Sequence, residues 1–322
     1  MPYMPLVSEK LEVFDLHKDE YDAIFIGSSR IYRQVSPSLF DRVMRDRGHN
    51  IHSFNFGLFG MKLPETYFWL AHVLSKHPQK LQWVFIEANL NNAYEPLANA
   101  RTNRVMYWHT FPQTLATLKY VFAAKDTLPR KAITACSHLL PFLYQTLNIG
   151  VFSSSASPYP NLNKASASER YNAFLGQQMD GYKPLDEETA TAYLNPRKDF
   201  LDNLEKYKAN VDSFQEQSKK QHSIDSGSKE LIGKFSAIVQ QFGAAPIFVI
   251  PPKLENEATV TELYSKRFIN QLLAFNSPRK YPTLYEPGYR FDEKHLNDSG
   301  AKVFTRLLAA EFDGKNRHNK AR

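Results

Sequence analysis

Cysteine is almost absent from this chain. Cys136 is the only one in 322 residues, so a disulfide within the chain is excluded, and a lone Cys in the apolar stretch Ile133 to Leu140 reads as a small core residue rather than a nucleophile. His49, His52, His72, His77, His109 and His138 show none of the i,i+4 or carboxylate spacings of a zinc site, so neither a metal nor a cofactor is expected. Zinc-finger spacing, a helix-turn-helix pattern and an aromatic-basic strand signature are also missing, which sets nucleic-acid binding aside. No apolar run approaches a membrane span, Met1 to Asp15 lacks the basic start and apolar centre of a secretory leader, and no internal repeat is visible.

The chain is 43% hydrophobic and 13% aromatic, enough to bury one large core or two modest ones. Its net charge is +7, from 40 basic and 33 acidic residues. Lys315, Arg317, Lys320 and Arg322 concentrate that excess at the carboxyl end, where it reads as a frayed, solvated tail. Read functionally, the same excess attracts an anionic polymer or membrane face.

Apolar runs alternate with helical patterns over the first ninety residues. Tyr21 to Ile26 reads as a buried strand, followed by Gly27-Ser28-Ser29-Arg30, where glycine permits a sharp turn that exposes a serine at the carboxyl end of the strand. Ser36-Pro37 then caps a helix over Val35 to Arg47. His52 to Phe54 is a second short strand, leading into Asn55-Phe56-Gly57-Leu58-Phe59-Gly60 and a helix from about Leu63 to His77. A glycine in such a turn can aim its backbone N–H at a developing oxyanion, a donor worth about 3 kcal/mol in the transition state. Trp83 to Asn89 is a third strand, ending in an asparagine whose amide is another candidate donor.

The far end of the chain supplies the complement. In Asp292-Glu293-Lys294-His295 the three-residue spacing places carboxylate and imidazole on one side of a turn, so that the acid holds one ring nitrogen and leaves the other free as a base. Asn297, Asp298 and Ser299 are capping residues for a final helix running from Ala301 to Phe312.

These four blocks resemble the SGNH (GDSL-like) hydrolases, and within them a bacterial branch tied to acyl transfer on polysaccharides and cell-wall polymers. The resemblance implies a three-layer α/β/α flavodoxin-like sandwich around a central parallel sheet. It also implies Ser29 as nucleophile, His295 as base and Asp292 as its orienter. The oxyanion hole would be made by the Ser29 N–H, the Gly57 N–H and the side chain of Asn89, or of Asn91 one strand repeat further on. The pattern departs from the family at three places: Ser28 replaces the usual Asp, Arg30 the usual Leu, and Glu87-Ala88-Asn89 lacks the glycine and trailing Asp of Gly-x-Asn-Asp. Relatives in this branch are often anchored outside the cytoplasm by an amino-terminal helix; the sequence leaves location open.

The matching blocks cover about 20–92 and 244–312 of what reads as a single domain, and 93–243 reads as a mainly helical insertion or cap. Within it, Phe111 to Leu147 is apolar and helical, with starts at Pro112 and Pro129 and a break or kink at Pro141. Ser153 to Pro160 has linker composition, Arg197 to Lys220 reads as a polar helix and Lys229 to Phe242 as an amphipathic one; the sheet returns at Pro246 to Ile250. Arg30, Tyr94, Arg104 and Tyr107 are candidate substrate contacts, alongside Arg101 and His109 as groove walls, whereas Trp108 reads as packing inside the insertion. The expected activity is serine-dependent ester hydrolysis or O-acyl transfer on an acylated carbohydrate, with a membrane-bound acyl-transfer partner as a further implication. The alternative is an inactive carbohydrate-binding or assembly protein that keeps the fold.

Overall fold

The structure is a computed structural model that describes residues 4–90, 93–149, 166–217 and 224–320. The linker at Ser153 to Pro160, Asn91 and Arg322 lie outside the described residues.

Strands β1 (Ala23–Gly27), β2 (Ser53–Gly57), β3 (Trp83–Glu87), β4 (Ala245–Ile250) and β5 (Leu272–Ala274) form one sheet in the order β2-β1-β3-β4-β5. Every pairing is parallel. Parallel sheets are covered on both faces, which is why these strands are near-continuous apolar runs. Alternation along each strand divides them between two cores. Ile24, Ile26, Phe54, Phe56, Val84, Ile86 and Phe248 face helices α1 (Val7–His17), α4 (Leu63–Leu74) and α12 (Ser226–Gln241). Ala23, Phe25, Phe85, Ile247 and Val249 face α3 (Pro37–Asp46) and α14 (Asp298–Lys320), which bring Phe40, Phe304, Leu308 and Phe312 at helical spacing. Phe85 sits at the centre of the second core, 4.6 Å from the Phe25 ring and 5.0 Å from that of Phe312. The result is the three-layer α/β/α sandwich.

Between β3 and β4 the chain leaves the sheet and returns through α12. The described helices of this insertion are α5 (Leu97–Ala100), α6 (Asn103–Trp108), α7 (Phe111–Ala123), α8 (Leu128–Thr146), α9 (Ala167–Leu175), α10 (Thr191–Asp202) and α11 (Leu204–Gln217). A short α2 (Ser29–Tyr32) follows β1, and α13 (Ala258–Ser265) precedes β5. Lys10 of α1, fully buried, fastens the insertion to the sheet: its ammonium donates to the carbonyls of Asn55 (2.7 Å), Gly57 (2.8 Å) and Gly181 (2.8 Å). Three acceptors are what a buried ammonium needs, and even so burial lowers its pKa well below the ordinary lysine value.

Several boundaries differ from those read in the sequence. α8 runs through Pro141 without a break, and the polar helix expected at 197–220 is two, α10 and α11. The final helix extends to Lys320; Lys315 donates to the Leu272 carbonyl and Arg317 pairs with Asp313 at 2.9 Å, so these two cations are anchored rather than frayed. Cys136 is exposed on α8, not part of a core. Trp108 is fully buried, as its packing role requires.

Candidate active site

In the order β2-β1-β3 the chain crosses from one side of β1 to the other, so the carboxyl ends of β1 and β3 flank the switch point where open α/β sheets bind ligands. The turn there is built for close approach. A Cβ on Gly27 would lie 2.5 Å from the Glu87 Cβ and 2.6 Å from Ile31, so only glycine fits. Ser28 is spent on structure: its N–H donates to Glu87 Oε2 (2.5 Å), its hydroxyl accepts from the Arg30 amide (3.2 Å), and its carbonyl accepts from Ile31 and Tyr32. Ser29, half-buried at the start of α2, is the hydroxyl left for chemistry. Glu87 is therefore a positioning residue that sequence reading missed. Its signal was an acid ending an otherwise apolar strand, in place of the glycine of the resembling family.

The other half of the site is a tight loop before α14. Arg290 and Leu296 form an isolated antiparallel bridge, and the Phe291 N–H donates to the His295 carbonyl (3.0 Å). The fully buried Arg290 guanidinium donates to the Glu293 carbonyl (2.6 Å). The loop closes with Asn297, whose side chain accepts from the Gly300 amide (2.8 Å) and donates to the Gly288 carbonyl (2.8 Å). Asp292 Oδ1 accepts from the amides of Lys294 (2.7 Å) and His295 (2.8 Å), and both carboxylate oxygens lie 3.0 Å from His295 Nδ1. Burial pushes the Asp292 pKa up, but the His295 ring and these amides outweigh it and hold the carboxyl below its ordinary value. An ionised acceptor at Nδ1 requires the proton there, which leaves the Nε2 lone pair facing outward. His295 Nε2 lies 2.9 Å from Ser29 Oγ.

No family model matches this chain, and no curated protein matches it either.

The expected oxyanion donors fare unequally. Gly57 is the last residue of β2, paired with Gly27, and its N–H donates to the buried Asn55 side chain at 2.8 Å. It is therefore committed within the fold and corrected as a donor. The requirement for glycine there is steric, since a Cβ would lie 2.4 Å from the Tyr32 backbone nitrogen. Asn55 completes this joint by donating to the carbonyls of Ile31 (2.8 Å) and Val35 (2.7 Å). Gly60, three residues on in the same turn, is the other glycine of that block. Asn89 lies just beyond β3, half-buried, with its Oδ1 enclosed and unpaired.

The substrate contacts assigned from sequence are also redistributed. Arg30 is buried and donates to Glu255 at 2.6 Å, in a network where Lys253 pairs with Glu257 (2.5 Å) and Glu255 (3.3 Å). Arg104 pairs with the buried Glu65 (3.0 Å) and donates to the Phe59 carbonyl (2.6 Å), tying α6 to the turn after β2. Tyr107 stacks on Trp69, with ring centroids 5.9 Å apart, and His109 is fully buried against His138 at 2.9 Å. Tyr94 is exposed but does not line the cavity beside the triad. That cavity, of about 470 Å³, reaches Asp292 and His295, and its wall is α10 and α11, including Tyr193, Asn203, Lys206 and Asn210. Periodicity alone does not reveal this wall, because these are polar residues on helices far from either motif in sequence.

Proposed function

We propose that this chain is a serine-dependent acyl ester hydrolase or O-acyltransferase of the SGNH type, acting on an acylated carbohydrate or other acylated cell-surface polymer. The observation that carries the reading is the continuous relay from Ser29 Oγ through His295 to Asp292, at 2.9 and 3.0 Å. His295 Nε2 takes the Ser29 proton as Oγ attacks the ester carbonyl, and Asp292 stabilises the imidazolium that forms. With Gly57 committed to Asn55, the Ser29 N–H and the Asn89 side chain are the donors that this reading retains for the tetrahedral oxyanion. Collapse expels the alcohol, which takes its proton from His295. Water or a sugar hydroxyl, deprotonated by the same imidazole, then accepts the acyl group from Ser29.

The α10–α11 cavity supports a polar substrate, since amides, an aromatic ring and both signs of charge line it. The test is turnover of a chromogenic acetate ester together with labelling by a serine-directed phosphonate, on wild type beside Ser29→Ala and His295→Ala. Loss of both signals in both variants is expected. Equal, background-level traces in all three proteins would favour the inactive glycan-binding alternative.

A further inference from the structure

Helix α8 is turned the wrong way for a helix in water. Its inward side buries only the small Ala135 and Pro141 beside His138 and is anchored by polar groups: His138 is hydrogen-bonded to His109 (2.9 Å) and to the Ala93 carbonyl (2.8 Å), Ser137 accepts from the Glu95 amide (3.1 Å), and Gln145 donates to the Tyr107 carbonyl (3.2 Å). Its outward stripe is Ile133, Cys136, Leu139, Leu143 and Leu147, with Leu147 66% exposed. An ordinary surface helix has the reverse arrangement. α7 buries Thr114, Thr117, Tyr120 and Val121 but likewise leaves Phe111, Leu115 and Phe122 outside, Phe111 being 67% exposed. The two stripes join where the Phe111 and Phe142 rings approach to 6.3 Å.

Charge is distributed just as unevenly. Residues 132–149 contain no Asp, Glu, Lys or Arg, while Lys125, Arg130 and Lys131 stand at the α7–α8 turn with Asp126, which pairs with Arg130 at 3.9 Å; Lys119, further back on α7, faces Glu230 of α12. Among the described residues no helix is long and apolar enough to cross a membrane. We propose that the α7–α8 hairpin is a membrane-docking surface, lying flat on an anionic bilayer with its leucine stripe among the acyl chains and its basic turn on the lipid phosphates. An apolar face flanked by cations is the arrangement that binds such an interface. A second copy docked through the same hairpin would set the cations of the α7–α8 turn, Lys125, Arg130 and Lys131, against their own kind, whereas an anionic bilayer brings the opposite sign.

The test is flotation of the full chain with vesicles of phosphatidylglycerol and phosphatidylcholine in equal parts, and with pure phosphatidylcholine. It compares wild type with Leu139→Glu/Leu143→Glu and with Lys125→Glu/Arg130→Glu; all four side chains are exposed, so unchanged thermal melts are expected. Wild type should float with the anionic vesicles, the leucine pair should reduce the bound fraction about tenfold or more, and the charge pair should abolish the preference for anionic over neutral vesicles. The proposal is overturned if wild type stays unbound or the leucine pair floats as well as wild type. It is equally overturned if the face instead mediates a concentration-dependent dimer that the leucine pair dissociates.

Discussion

Replacing Asp292 with Asn tests the catalytic reading at its most discriminating point, because the substitution changes one atom and leaves the loop its bonds. Asp292 Oδ1 accepts the two amides that shape the loop, from Lys294 and His295. In Asp292→Asn the retained Oδ1 keeps those bonds and still lies 3.0 Å from His295 Nδ1, but it is already shared by two amides, and the new NH₂ group stands at the same 3.0 Å with its donors opposed to the Nδ1 proton. Two donors cannot face each other, so the ring shifts its proton to Nε2. That proton then points at Ser29 Oγ, and the imidazole can no longer accept from it. A loss of roughly 10⁴ in kcat, about 5 kcal/mol of transition-state stabilisation, follows from a base held in the wrong tautomer. Steady-state hydrolysis of an acetate ester reads the effect, with circular dichroism melts as the control for folding. A variant that melts like wild type yet loses less than about tenfold in kcat would refute the assigned relay, since a positioned general base contributes at least about 10²-fold.

Glu87→Ala leaves the Ser28 N–H buried without its acceptor, whereas Glu87→Gln retains an oxygen for it. A stability loss of about 1–3 kcal/mol and lower turnover are expected for Ala but not for Gln, read by thermal melts and kcat; equal behaviour of the two would remove Glu87 from the positioning of the serine turn. Asp41 is buried and hydrogen-bonded to Ser53, and burial pushes its pKa from 3.8 up to about 7. The unfolded side chain ionises near 3.8 while the folded one holds its proton, so stability falls as pH rises from about 4 to about 7, by on the order of 4 kcal/mol. Asp41→Asn should flatten that slope in urea titrations run across this window; a slope identical to wild type would show that Asp41 does not titrate there.

Much of the nucleophile region was legible because its causes are local. A glycine after an apolar run, Ser36-Pro37 before Leu39, and Asp292 three residues ahead of His295 are preferences of backbone and spacing that a sequence displays directly. The donor role of Gly57 was misread because the end of β2 is set by pairing: its register with Gly27 extends the strand to residue 57, and a side chain two residues back takes the N–H. Arg30 looked like a substrate contact because its partner, Glu255, lies 225 residues away. Cys136, on the outward apolar stripe of α8, was taken for a core residue, since periodicity reports that a helix has an apolar face but not which way that face is turned.

The sequence by itself determined the alternation of strands and helices over the first ninety residues and named Ser29, Asp292 and His295 as candidates for one relay. Tertiary structure decided which hydroxyl meets the imidazole, which N–H groups are committed elsewhere, and that α10 and α11 rather than residues 94–109 wall the cavity. The division has one physical cause. Backbone preference and hydrophobic period act between neighbours along the chain, whereas hydrogen-bond satisfaction and close packing join residues up to 266 apart, from Ser29 to His295, and are fixed only when the sheet assembles.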